Sequence, residues 1–482
     1  MIRLVGNRCN SVTNDFPHPQ IRAIGSILTT LALMLCAASL PAQAADRLPQ
    51  SIPDDAFRNL ISTLSESGGN FQSENLLSNE TDFPQVMGRL KRTVSSGGVY
   101  LGVGPEQNFN YIAVIRPRMV FIIDIRRQNM IEHLLYKALF ELSPDRATFI
   151  GRLFSRKHPP GVANDATAAE LFDAYMEVAA DDTLFEKNLQ DIEDRLIRLH
   201  RLEVTAEDRA ALRGIYSAFR DFGPLINYNS RGGGIGGFRF MPSYAQLMTG
   251  TDDSGNEWSY LSSEESYGVI RDLELRNLIV PLTGDFGGAK AIRAVGQYLK
   301  DHGAVVSVFY TSNVEGYLFR GGDRSGNPNG GASKFYENVS TLPLDESSTF
   351  IRWVPGAPNR RTGDSLYLAP ILRTIEDFES GQFSAGDLSP ANGGGFGSGA
   401  GGGFFNSPRR LPYDQTSSAY DGYLRVGAYL LAIAAFLVRL LIWRPSGRER
   451  VTSIQTILFS TLWAVGGYVF ATGIAALIRF LT

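Results

Sequence analysis

Cysteine is almost missing from this chain of 482 residues: the two present, Cys9 and Cys36, both precede residue 45. Everything downstream is therefore without a disulfide framework, a cysteine metal site or a thiolate nucleophile. Histidine is scarce as well. Beyond the first 44 residues it occurs only as His133, His158, His200 and His302, and none stands at a metal-ligand spacing from another histidine or a glutamate. No metal is expected. A basic surplus is lacking too. The formal net charge is −3, and it becomes more negative once Arg3, Arg8 and Arg22 are set aside against Asp15. This argues against a nucleic-acid partner, which needs a basic stripe. There is no G-x-S-x-G elbow, and no hydrolase triad can be read from the sequence.

Long apolar runs, by contrast, are present at both ends. Arg22 precedes an apolar stretch from Ile24 to Leu40, and Ala42-Gln43-Ala44 supplies a small-x-small cleavage pattern. This predicts a secretory leader over residues 1–44, with an uncleaved anchor as the alternative. At the other end, 426–443 and 454–478 are each long and apolar enough to span a bilayer as a helix. The arginines of the loop between them, Arg444, Arg448 and Arg450, mark that loop as cytoplasmic. The expected protein is integral to the inner (cell) membrane through two C-terminal spans, with its main domain periplasmic or otherwise extracytoplasmic.

Between these ends we expect an N-terminal segment at 45–82 and a folded domain at 83–380 carrying a helical insertion at about 160–220. A glycine-rich flexible linker follows at 381–422, including the run GGGFGSGAGGG from Gly393 to Gly403. Within the domain, short β runs alternate with helical periodicity. Val99–Leu101, Met119–Ile123, Leu278–Leu282 and Ala304–Tyr310 read as strands, and Thr349–Trp353 as an edge strand. Asn108–Ile115, Gln128–Leu142, Ala168–Leu199, Ala206–Phe219 and Gly288–Lys300 read as helices. The alternation predicts an α/β fold with a mainly parallel, doubly wound sheet.

The most chemical stretch is Tyr100-Leu101-Gly102-Val103-Gly104-Pro105-Glu106-Gln107-Asn108, which leaves a strand and opens a helix. Glycines there let a ligand approach the backbone, and the helix start offers N–H groups. Asp124 follows twenty positions after Gly104 at the end of the next strand, where a carboxylate can bridge ribose hydroxyls. Two ordinary readings stay open: the glycines as turn residues, and Asp124 as a helix cap or a partner of Arg126 or Arg127. Gln107 stands where the third glycine of G-x-G-x-x-G would fall, which points to adenosine-type binding rather than a nicotinamide cofactor.

Through the segments Val99–Ala113, Phe121–Asn129 and Asn277–Gly288, the chain resembles the class I S-adenosylmethionine-dependent methyltransferases. In particular it resembles an uncharacterised bacterial, membrane-tethered group with that Rossmann-like fold. The resemblance spans roughly Phe83 to Trp353. It implies that Gly102 and Gly104 line the methionine part of S-adenosylmethionine and that Asp124 holds its ribose. Glu106, in the same loop, is grouped with them as cofactor-binding. The likeness also places Thr283-Gly284-Asp285 where such enzymes face their substrates, making Asp285 a candidate general base. One departure is that Tyr100 occupies the region where the first strand's motif usually carries an acidic residue.

Other features have plainer readings. Asp285 is equally a helix N-cap. Asn229–Arg239, rich in glycine and flanked by arginines, reads as a solvated loop or as a lid that cradles an anionic group. Tyr310 and Asn313 are candidate polar groups of a cleft, and His133 is expected at the surface. Two functions are carried forward: an exported, membrane-tethered methyltransferase-like domain binding a small nucleoside-type ligand, and a non-catalytic binding or scaffold module of the cell envelope.

Overall fold

The computed structural model describes residues 47–71, 75–163, 165–228, 230, 241–321, 330–353 and 366–383. All belong to the first of two units, Met1–Gly393; the second, Gly394–Thr482, lies outside the described residues. So do the expected leader, the glycine run and both apolar spans. Among the described residues no helix is long and apolar enough to cross a membrane.

Six strands form one sheet: β1 (Val99–Gly102), β2 (Met119–Asp124), β3 (Ile279–Thr283), β4 (Val306–Ser312), β5 (Thr349–Trp353) and β6 (Leu366–Pro370). Their order across the sheet is β3-β2-β1-β4-β5-β6. The first five run parallel, and β6 pairs antiparallel with β5. Every residue of β1, β2 and β3 is buried, as expected of parallel strands covered on their faces. Pro281 sits within β3, where it is tolerated because β3 is an edge strand and a proline cannot donate to a ladder. Thr349–Trp353 is not the edge it was expected to be: β6 covers it, so the partly exposed edge lies one strand further out.

Helices connect the strands. Before β1 come α1 (Asp54–Leu64) and α2 (Phe83–Thr93), and α3 (Gln107–Ile115) joins β1 to β2. The passage from β2 to β3 is long and carries α4 (Arg127–Leu142), α5 (Arg146–Leu153), α6 (Ala168–Met176), α7 (Asp182–Glu193), α8 (Ala206–Phe222), α9 (Tyr244–Met248) and α10 (Glu264–Leu275). After β3 come α11 (Ala291–Asp301), α12 (Val314–Gly321), α13 (Gly330–Val339) and α14 (Ile371–Glu379). The single helix expected over Ala168–Leu199 is broken. Asp181 caps a new helix by accepting from the Leu184 N–H at 2.9 Å, and a π turn occupies Asp194–Leu199.

Helix α4 explains why the insertion is part of the same core. It is buried on nearly every side, and its ring-bearing residues pack edge-on around Phe109: His133, Tyr136 and Phe140 lie 5.2–5.6 Å from that ring. Each such pair is worth about 0.5–1.5 kcal/mol beyond area burial. Its charged residues are also inside. Lys137 pairs with Glu141 at 2.8 Å, and Glu141 meets His200, whose other ring nitrogen reaches Asp54 on α1 at 2.7 Å. These buried charges tie α1, through Asp54, and the insertion, through His200, to α4.

Candidate functional site in the cleft at the strand ends

An open cleft enclosing about 960 Å³, part of it open to solvent, lies at the carboxyl ends of β1, β2, β3 and β4. That is where the sheet order reverses, β1 being flanked by β2 on one side and β4 on the other. Open α/β sheets place ligands at this point because neighbouring loops splay in opposite directions.

Gly104 faces the cleft. Its φ of +76° lies in the left-handed region, and a Cβ built there would meet nothing within 4 Å. Gly102 does not face it. A Cβ there would strike the Asn108 carboxamide and come within 2.7 Å of the Tyr100 ring, so this glycine makes room for packing. Asn108 then staples the loop: its amide donates to the carbonyls of Val103, Gly104 and Pro105 at 3.0, 3.0 and 2.7 Å, and its oxygen accepts from Tyr100 at 2.9 Å. Glu106 is turned inward. It is fully buried, accepts from the Ser78 N–H at 3.2 Å, and burial pushes its carboxyl up to about 8.

His133 is buried rather than at the surface, because α4 packs under the glycine loop. A carbonyl can only accept, so its Nε2–H donates to Gly104 O at 2.8 Å. Burial drives its basicity down to about 4.

Asp124 lines the cleft with Gly104. Its carboxylate accepts from the Arg126 N–H at 2.8 Å and from the Arg126 guanidinium at 3.2 Å on each oxygen. Three of its roughly four acceptor positions are thus in use, and one on Oδ2 remains. Asp285 is also in the cleft wall, half-buried, with Oδ1 accepting from the Gly287 N–H at 2.9 Å. It closes its own turn and does not cap α11, which starts six residues later at Ala291. That helix start is served by Glu66, whose Oε1 accepts from the N–H groups of Ala291 and Asp285 at 3.3 and 3.2 Å. Sequence reasoning missed Glu66 because it lies in the N-terminal segment, which folds over the strand ends and bonds to Thr283 and Ile125.

The β4 side of the cleft holds Tyr310, Ser312 and Asn313. The hydroxyls of Tyr310 and Ser312 donate to the two oxygens of Glu80 at 2.8 and 2.6 Å. Burial raises the Glu80 carboxyl to about 7 against the pull of those hydroxyls. Neither Ser312 nor Glu80 was legible as functional: 232 positions separate them. The glycine-rich stretch Asn229–Arg239 lies, apart from Ser230, outside the described residues. Among the described residues, no cluster of three or more His, Asp or Glu side chains is arranged to hold a metal.

The fold and this cleft define an α/β protein with an open cleft at the strand ends, where its sheet order reverses. More narrowly, a model for a domain of unknown function, DUF7790, matches residues 76–367, more than half of the chain, and the chain belongs to that family. No curated protein matches it.

Proposed function

We propose that the cleft binds a small nucleoside-type ligand, with S-adenosylmethionine the first to test, on a methyltransferase-like doubly wound fold. The observation that carries this reading is the convergence of Gly104 and Asp124 on one cleft at the sheet reversal. The residues fit such a ligand in two respects. Gly104 leaves its backbone open to close approach, and Asp124 keeps an acceptor position for a ribose hydroxyl. When bound, the ligand would supply a methyl group. The chain's part is to orient it through Gly104 and Asp124, to place a nucleophile against it, and to offer a base such as Asp285. The membrane tether and the export of this domain belong to the same proposal, and protease added outside spheroplasts tests them by digesting the domain.

A non-catalytic binding or scaffold module is the second reading. Arg126 favours it, because its backbone N–H and guanidinium together already fill most of the acceptor capacity of Asp124. Isothermal titration with S-adenosylmethionine and S-adenosylhomocysteine separates the two. Micromolar binding that Asp124→Ala removes supports the first; absence of heat with an unmoved melting temperature leaves the second.

A further inference from the structure

Ser312 is the last residue of β4, and the chain turns sharply there into α12, which begins at Val314. Its φ is +48°, a left-handed conformation that strains a non-glycine residue. The ladder to β5 also shifts register between Tyr310 and Ser312. Backbone irregularity of this kind re-aims a side chain, and here the side chain lines the cleft while donating to a buried carboxylate at 2.6 Å. That carboxylate is itself oriented by Tyr310 at 2.8 Å. A hydroxyl in hydrogen-bond reach of a base, the base held by a third group, is the arrangement of an activated nucleophile.

We propose that Ser312 is a nucleophile that takes the acyl group of an ester seated in the cleft, with Glu80 receiving its proton. The inference goes beyond nucleoside binding and stands on the β4 wall alone. An acyl group is favoured over a phosphoryl group by the lining. Arg126 is the one cation among the described residues that line the cleft, and it is paired with Asp124, whereas phosphoryl transfer relies on several cations. Phe71, Val103, Ile125 and Leu318 offer apolar surface to an acyl chain.

The step balances. Oγ attacks the carbonyl carbon as its proton passes to Glu80, forming the Oγ–C bond. The ester C–O bond then breaks; the leaving alkoxide takes a proton from the Tyr310 hydroxyl, which recovers one from Glu80. Water attacks the acyl-serine, gives its proton to Glu80 by the same route, and Oγ departs and is reprotonated. Ester and water become acid and alcohol. Facing Glu80 are Tyr310 and Ser312 on β4, Tyr100 on β1, Glu106 and Tyr111 at α3, and Asp82.

The test is covalent labelling of the full chain with a fluorophosphonate, followed by peptide mass spectrometry and a labelling rate across pH 5–9. We expect one adduct, on Ser312, with a rate that rises through about pH 7 as Glu80 loses its proton. Ser312→Gly, which suits the left-handed backbone and so keeps the fold, abolishes the adduct. Glu80→Gln slows labelling about 100-fold with a melting temperature no lower than wild type, the scale of a lost general base. No adduct on the folded protein, an adduct elsewhere that persists in Ser312→Gly, or an undiminished rate in Glu80→Gln overturns the proposal. Nucleoside titration is a separate measurement, so either reading can fail alone.

Discussion

The Nε2–H of His133 holds the carbonyl of Gly104 at 2.8 Å, tying the buried helix α4 to the loop glycine whose Cβ position opens on the cleft. The imidazole must be neutral in the folded state, since burial lowers its pKa to about 4 against an ordinary 6.5. A depressed histidine contributes stability above its unfolded pKa and loses it as pH falls. The window is therefore pH 6.5 down to about 4, and the loss approaches about 3 kcal/mol. In His133→Gln, an amide can donate to the same carbonyl without titrating. The melting-temperature difference between variant and wild type should then shift toward the variant as pH falls through that window.

Glu106 should show the opposite sign. Its folded pKa of about 8 lies above the usual carboxylate value, so its contribution is full below about pH 4.5 and is lost as pH rises through 8. Glu106→Gln keeps an acceptor for the Ser78 N–H and removes the charge. Thermal unfolding should show no change at pH 5 and a gain on the order of 1–3 kcal/mol at pH 9.

The two glycines should separate. Gly102→Ala places a methyl against the Asn108 carboxamide and the Tyr100 ring, undoing the staple of the loop, and should cost about 2–4 kcal/mol in denaturant unfolding. Gly104→Ala meets no neighbouring atom but sits at φ +76°, so its cost should be about 1–2 kcal/mol, with ligand affinity falling more than stability.

Arg352 and Glu315 form a buried two-point pair at 2.6 and 2.8 Å beside Tyr336, with the guanidinium 4.5 Å from the Phe383 ring. Arg352→Met alone leaves an unpaired buried carboxylate and should cost about 3–5 kcal/mol. Adding Glu315→Gln should recover most of that, a coupling that a double-mutant cycle in urea reads directly.

Much of the architecture was legible because buried parallel strands write themselves as apolar runs: MVFIID and IVPLT are buried throughout. The strand β6 was not: Leu366–Pro370 is a short, half-exposed edge strand whose apolar residues run straight into the next helix and end on a proline. Within the site, Gly104 and Asp124 were legible from loop chemistry and spacing. Gly102 and Glu106 share that loop but face inward, a distinction set by side-chain direction that spacing does not carry. Glu66, Glu80 and His133 were missed or misplaced for one reason: their roles arise from contacts far along the chain. His133 reads as a surface residue because Glu132, Lys137 and Glu141 surround it in sequence, yet all three are buried.

The most direct test of the account is calorimetric titration of S-adenosylhomocysteine into wild type, Asp124→Ala and Arg126→Gln at one salt concentration. The cleft reading predicts micromolar binding to wild type and none to Asp124→Ala. It also predicts affinity at least tenfold tighter in Arg126→Gln, where each Asp124 oxygen gains an acceptor position for the ribose while Oδ1 keeps its backbone N–H donor. Equal heats from wild type and Asp124→Ala, or silence from all three folded proteins, would contradict it.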